Sequence, residues 1–107
     1  MHSASFGEGR WREYTFDEQM GNIGSEVSRA LHWKGKNEQA FEGAIARALE
    51  LLDFTIQDAR WKHRLKELVR ARELIADALY EGKEYGTTFE YLDQYFLQYA
   101  RAARKDR

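Results

Sequence analysis

The chain has 107 residues, 43% hydrophobic and 33% charged, with no cysteine and no proline. That is enough for one domain with one core, and it excludes disulfides and thiolate metal sites. Lys and Arg number 17 against 18 Asp and Glu, a net charge of −1, which argues against a protein held to nucleic acid by bulk electrostatics. No apolar run approaches the roughly 20 residues of a membrane span. MHSASFGEGRW at the start lacks the apolar centre of a signal peptide. No membrane partner and a cytoplasmic location are therefore expected.

Residues 1–12 are small, polar and aperiodic. They are expected to form a flexible N-terminal arm, docking only through Phe6 or Trp11. A single helical domain should then occupy residues 13–104, with a frayed basic tail at 105–107. Helix one is predicted from Thr15 or Phe16 to Trp33, with its apolar stripe on Phe16, Met20, Ile23, Val27 and Leu31. Thr15 and Glu18 have the spacing of a capping box. Gly21 and Gly24 each weaken a helix by about 1 kcal/mol relative to Ala. Gly24 lies beside the stripe, where a missing side chain lets another helix come close.

Helix two, residues 38–59, is expected to be the central element. Phe41, Ile45, Ala48, Leu52, Thr55 and Ala59 follow a 4, 3, 4, 3, 4 spacing. Ala44, Leu51, Leu49 and Ile56 widen that stripe to more than half the circumference, so neighbours on two sides are predicted. Asn37 is the predicted N-cap. The next apolar set, Trp61, Leu65, Leu68, Ile75 and Leu79, is about 200° out of phase. A phase jump without proline places a break at residues 58–60, with Asp58 as the cap of helix three. Helices two and three then make a tight antiparallel hairpin.

Helix three should stop at Gly82. Thr87 or Thr88 should cap helix four, whose stripe is Phe89, Leu92, Phe96, Tyr99 and Ala103, flanked by Tyr91 and Tyr95. The predicted fold is all-α, an up-down-up-down four-helix bundle. Surplus apolar surface on helices two and four predicts a homodimer, with Phe54, Tyr91 and Tyr95 as interface candidates. The alternative is that these three side chains cover the arm.

Arg72 falls in the middle of helix three's apolar stripe. A buried guanidinium must be paired and hydrogen-bonded, and Glu26, Glu50 and Asp53 are the available carboxylates. Arg72, Glu26 and Asp53 are therefore the candidate ligand-binding residues, with a structural ion pair as the plainer account. His2, His32 and His63 form no metal-ligand spacing, so neither a metal nor any other cofactor is expected. Glu81 with Glu84 and Glu90 with Asp93 resemble the paired carboxylates of helical nucleotide pyrophosphatases. The first pair straddles Gly82, however, and the gap is too short for two facing helices. GKNEQAFEGAIARALEL is similar to half of a tetratricopeptide repeat, but has no second copy to stack on.

NIGSEVSRA, ARALELLDFTI, RLKELVRARELI and YFLQYA together resemble a family of short uncharacterised prokaryotic all-helical proteins, over about residues 11–103. The resemblance implies the fold and no activity. The outline is also similar to HEPN-like bundles. Their Arg-to-His spacing of four to six is missing: Arg29 to His32 and Arg60 to His63 are too close. The expected function is a non-enzymatic interaction or accessory module with a protein partner. A small-ligand or nucleotide-related enzyme around Arg72 and an RNA-associated bundle are the alternatives.

Overall fold

The computed structural model describes residues 9–105. Among them there is no strand, and the fold is all-helical. In chain order come α1 (Phe16–Trp33), α2 (Glu38–Gln57), a 3-10 segment (Ala59–Arg64), α3 (Leu65–Leu79) and α4 (Phe89–Lys105). Phe6 and residues 106–107 lie outside the described residues.

The helix ends follow from side-chain capping of N–H groups that have no partner within the helix. The Thr15 hydroxyl accepts from the Glu18 N–H at 3.1 Å, and the Glu18 carboxylate accepts the Thr15 N–H at 2.8 Å. This is the capping box read from the sequence. Asn37 Oδ1 accepts from the Ala40 N–H at 3.0 Å, and Asp58 Oδ1 from the Arg60 N–H at 3.0 Å. Of the two threonines before α4, Thr88 is the cap, its hydroxyl accepting the Tyr91 N–H at 3.0 Å. The chain leaves α3 through Glu81 and Gly82, whose φ angles are 62° and 73°. An added Cβ at Gly82 would stand 2.9 Å from the Gly86 carbonyl carbon, so that position needs glycine for its space as well as its φ.

The element with the deepest packing is α1, not α2. It runs along both α2 and α4, whereas α3 meets α2 and α4 over shorter stretches. Met20, Ile23, Val27 and Ala30 are fully buried. Glycine explains the close fit with α4. A Cβ added at Gly24 would stand 2.5 Å from Phe96 Cβ, and one at Gly21 3.2 Å from Ala100 Cα. The two residues that weaken α1 as an isolated helix are the ones that let α4 reach it. The width of α2's apolar arc is used inside the molecule. Ala44, Ile45, Ala48, Leu51, Leu52 and Thr55 are buried, and Phe41, Leu49, Phe54 and Ile56 pack half-buried around them.

Residues 9–11 are helical, and Trp11 belongs to the core at 5% exposure. A chain of hydrogen bonds fixes it there. Its indole Nε1 donates to Thr55 Oγ1 at 2.9 Å, and its carbonyl accepts from Gln19 Nε2 at 2.7 Å. Gln19, with no exposed surface, accepts in turn from Trp61 Nε1 at 3.0 Å through its Oε1. The Thr55 hydroxyl donates in turn to the Leu51 carbonyl at 3.1 Å. One buried amide thus ties Trp11, α1 and the 3-10 segment together. No buried side-chain polar atom among the described residues lacks a partner.

Candidate interaction surface

The 3-10 segment decides which face of α3 turns inward. Trp61, at φ −107° and ψ 18°, is not in helical conformation. It lies half-buried, edge-on to Phe16, with the Arg60 guanidinium over its ring. A stripe extrapolated from Trp61 through Leu65 at α-helical spacing therefore keeps Leu68 and Ile75 inside but wrongly adds Leu65, Arg72 and Leu79. Leu68, Ala71, Leu74, Ile75 and Ala78 are the residues α3 buries.

Of the expected stripe, Leu65 is 41% exposed and Leu79 39%; outside it, Val69 is 46% exposed and Tyr80 72%. Ala76 is exposed as well. Positions 65, 69, 72, 73, 76 and 80 fall within an arc of about 100° and span about 22 Å of helix. Single exposed apolar side chains are ordinary. Four of them on one arc, with Arg72 and Glu73 between, on the outer face of a helix whose inner face is already satisfied are not.

Arg72 sits in this outer row, a correction to its expected burial. Its guanidinium hydrogen-bonds to Asp53 on α2, and each side chain keeps 46% of its surface. Water reaches both groups, so they form a surface ion pair worth about 0–1 kcal/mol. Glu26 is elsewhere occupied: it accepts from Arg29, three residues on in α1, at 3.3 Å. Of the three candidate ligand-binding residues, the fold brings Arg72 and Asp53 together and engages Glu26 on α1.

The three aromatic candidates differ among themselves. Phe54 is half-buried and lines a small hollow with Trp11 and Asp58, so it covers the N-terminal segment. Tyr91 is 53% exposed. Tyr95, one turn on, is half-buried, 6.4 Å from Tyr91 between ring centroids and edge-on to Phe96 and Tyr99. The Tyr99 hydroxyl donates to Glu67 on α3, and Arg64 Nε donates to the same carboxylate at 3.2 Å. Burial pushes the Tyr95 phenol up. Burial and the hydrogen bond to Glu67 push Tyr99 up further, so both stay neutral at physiological pH. Neither supplies a phenolate for chemistry.

A loop adjoins the outer end of the α3 row, and a buried carboxylate shapes it. Asp77 accepts the N–H groups of Glu84, Tyr85 and Thr87 at 2.8, 3.2 and 2.9 Å. Burial alone would push this acid up. The Thr87 N–H and hydroxyl, with the Glu84 and Tyr85 N–H groups, outweigh it and hold the carboxyl below its ordinary value. Tyr85 is 53% exposed beneath the Arg70 guanidinium, 5.0 Å from the ring centre. Between α3 and this loop lies an open hollow of about 500 Å³, lined by Glu73, Ala76, Tyr80, Lys83 and Tyr85 among others.

Val69, Ala76, Tyr80 and Tyr85 were not candidates from the sequence. The available signal was the spacing of Leu65, Val69, Ala76 and Tyr80 on a second face of helix three. Among the described residues no three His, Asp or Glu side chains are grouped to hold a metal ion. No described helix is long and apolar enough to cross a membrane. Comparison with known protein families, with curated proteins and with solved structures finds no match.

Proposed function

We propose that this protein is a non-enzymatic helical interaction module, an up-down-up-down four-helix bundle that presents the outer face of α3 to a protein partner. The carrying observation is that α3 is apolar on two sides. Its inner side is buried in the core, and its outer side exposes Leu65, Val69, Leu79 and Tyr80. A soluble domain keeps such a row on one exposed helix face when another surface covers it. The docking mode this fits is helix against helix, with anchors at i, i+4, i+7 or i+8, and i+11. The short prokaryotic helical family that the sequence resembles is compatible with this role.

Site-specific photo-crosslinking in the protein's native cells tests the proposal. A photoreactive residue at position 69 should give discrete adducts. One at position 42, exposed on α2, should not. Equal labelling from both positions, or none from position 69, would refute it.

A further inference from the structure

The hollow between α3 and the loop that follows it has the size of a small-ligand site. Its volume is about 500 Å³, within the range of roughly 300–1,000 Å³ such sites occupy. Glu73, Asp77 and Tyr80 line it from α3, and Lys83, Glu84 and Tyr85 from the loop. The loop wall is fixed by the fold itself. Both Asp77 carboxylate oxygens are taken by the N–H groups of Glu84, Tyr85 and Thr87. Gly82 sets the turn at a φ of 73°, where a side chain would have no room. A wall shaped in advance loses less freedom when it binds.

Three features select the ligand. Tyr80 keeps 72% of its surface and Tyr85 53%, so two aromatic rings of the lining are open to solvent. Aromatic faces attract cations, and the Tyr85 ring already takes the Arg70 guanidinium, 5.0 Å from its centre. Glu73, Asp77 and Glu84 outnumber Lys83 in the lining, and they still outnumber the cations when Arg70 is counted. α3 ends at Leu79, so the negative end of its dipole lies at the same place. We infer that this hollow binds a small organic cation, a fully alkylated ammonium held against Tyr80 and Tyr85 with Glu73 and Glu84 as its counter-charges.

Alkylation follows from what the walls offer. A primary ammonium is strongly hydrated and brings three N–H donors that need acceptors. The buried carboxylate of the lining, Asp77, is committed to the loop N–H groups. A fully alkylated ammonium brings no N–H and is recognised by ring faces and charge. The inference goes beyond the docking of a protein along α3: it needs the loop wall, and it needs neither Leu65 nor Val69.

Choline tests it, beside ethanolamine as the unmethylated cation and the neutral isostere of choline in which carbon replaces nitrogen. Each is titrated into the intact chain at constant ionic strength and followed by amide NMR. Choline should shift the Tyr80, Lys83 and Tyr85 signals saturably, with a dissociation constant on the order of a millimolar for so open a site. The Gly43 signal on α2 should stay in place. The neutral isostere should bind at least about 5-fold more weakly, the loss of two exposed cation–π contacts, and ethanolamine should also bind more weakly than choline. Tyr80→Ala should weaken choline binding about 2–5-fold, and Tyr80→Phe should not. Glu73→Gln should weaken it and Lys83→Ala tighten it, both with unchanged helical circular dichroism. No saturable shift up to about 50 mM choline, well above that constant, would overturn the inference, as would equal binding of ethanolamine or of the neutral isostere. The reverse effects of Glu73→Gln and Lys83→Ala would overturn it too, and would mark an anion site. Adducts from position 69 in cells without any choline shift would remove the cation site and leave the interaction module standing.

Discussion

Gly24 and Gly43 separate two roles that glycine plays inside a helix. Both interrupt helices, where glycine costs about 1 kcal/mol relative to alanine. Gly43 on α2 faces open space: an added Cβ meets nothing within 4 Å. Gly43→Ala should therefore stabilise the protein by about 1 kcal/mol. At Gly24 the same methyl would stand 2.5 Å from Phe96 Cβ and 3.4 Å from its Cγ. Phe96 is 1% exposed, and its Cβ is bonded directly to the backbone of α4. No rotamer change moves that atom away, so α1 and α4 must separate by about 1 Å to restore an ordinary carbon–carbon contact. Such overpacking costs about 1–3 kcal/mol, against the gain of about 1 kcal/mol in helix propensity. Gly24→Ala should then be about 1–3 kcal/mol less stable than Gly43→Ala. Gly21→Ala should fall between them, since its methyl would be 3.2 Å from Ala100 Cα. Urea unfolding at a common m-value measures all three. If Gly24→Ala unfolds at or above the midpoint of Gly43→Ala, α1 and α4 do not meet through this glycine, and the central place given to α1 is wrong.

Other substitutions test other parts of the account. Trp11→Ala should lower stability by about 3–5 kcal/mol in the same urea assay, because it empties a buried site and removes the donor to Thr55. A loss below about 1 kcal/mol would place residue 11 outside the folded core. Arg72→Ala should change stability by less than about 1 kcal/mol, as an exposed pair does. A loss of about 3–5 kcal/mol would instead signal a buried, partnered charge. The pH dependence comes from Asp77 and Asp58. Asp58 is held low chiefly by its hydrogen bond from the Arg60 guanidinium, and Asp77 by the loop N–H groups that outweigh its burial. Both folded-state values lie below the unfolded value of about 3.9. Their stabilising contribution is therefore complete above that pH and is lost as pH falls through the folded values. Hydrogen exchange should show residues 82–88 opening first in acid. Asp77→Asn, which turns an amide donor towards N–H donors, should open the same loop at neutral pH and flatten its acid dependence. A loop equally protected in both proteins would refute Asp77 as its anchor.

The parts of the fold that were legible in the sequence are those governed by local chemistry. The Thr15–Glu18 box, the Asn37 cap, the break at Asp58 and the turn at Gly82 each depend on groups a few residues apart. The inner faces of α1 and α4 were legible for a related reason, since each stripe starts and ends within one continuous helix. The inner face of α3 was legible only in part: Leu68 and Ile75 are buried as expected, but Leu65 and Leu79 are exposed, because a stripe extrapolated through Trp61 crosses the 3-10 segment, which takes that residue out of helical register. The slip has one consequence for the site: it moves Arg72 indoors and hides the exposed row of Leu65, Val69 and Tyr80. Trp11 was legible only as one of two possible anchors, and the partners of Trp11 and Asp77 were illegible for a different reason. Their partners are Thr55, 44 residues away, and a loop that a carboxylate seven to ten residues upstream organises. Nothing in the spacing of a sequence marks such pairs.

The surplus of apolar surface was legible, but not the helix that leaves it outside. The sequence assigns the excess to helices two and four, which have the widest apolar arcs. In the fold both helices spend most of that width internally. Phe41, Leu49, Phe54 and Ile56 on α2, and Tyr95 on α4, pack against the core. The width of an arc therefore measures how many neighbours a helix has, and α2 has its neighbours within the chain. α3 differs in having its apolar residues on two separate faces. Leu68, Ala71, Leu74, Ile75 and Ala78 fill the inner one and already satisfy the core. Leu65, Val69 and Tyr80 stand on the other, where no described helix of the same chain covers them. An apolar residue count cannot separate these cases. The division of one helix's apolar residues into a buried face and a second, uncovered one does, and that division is what singles out α3.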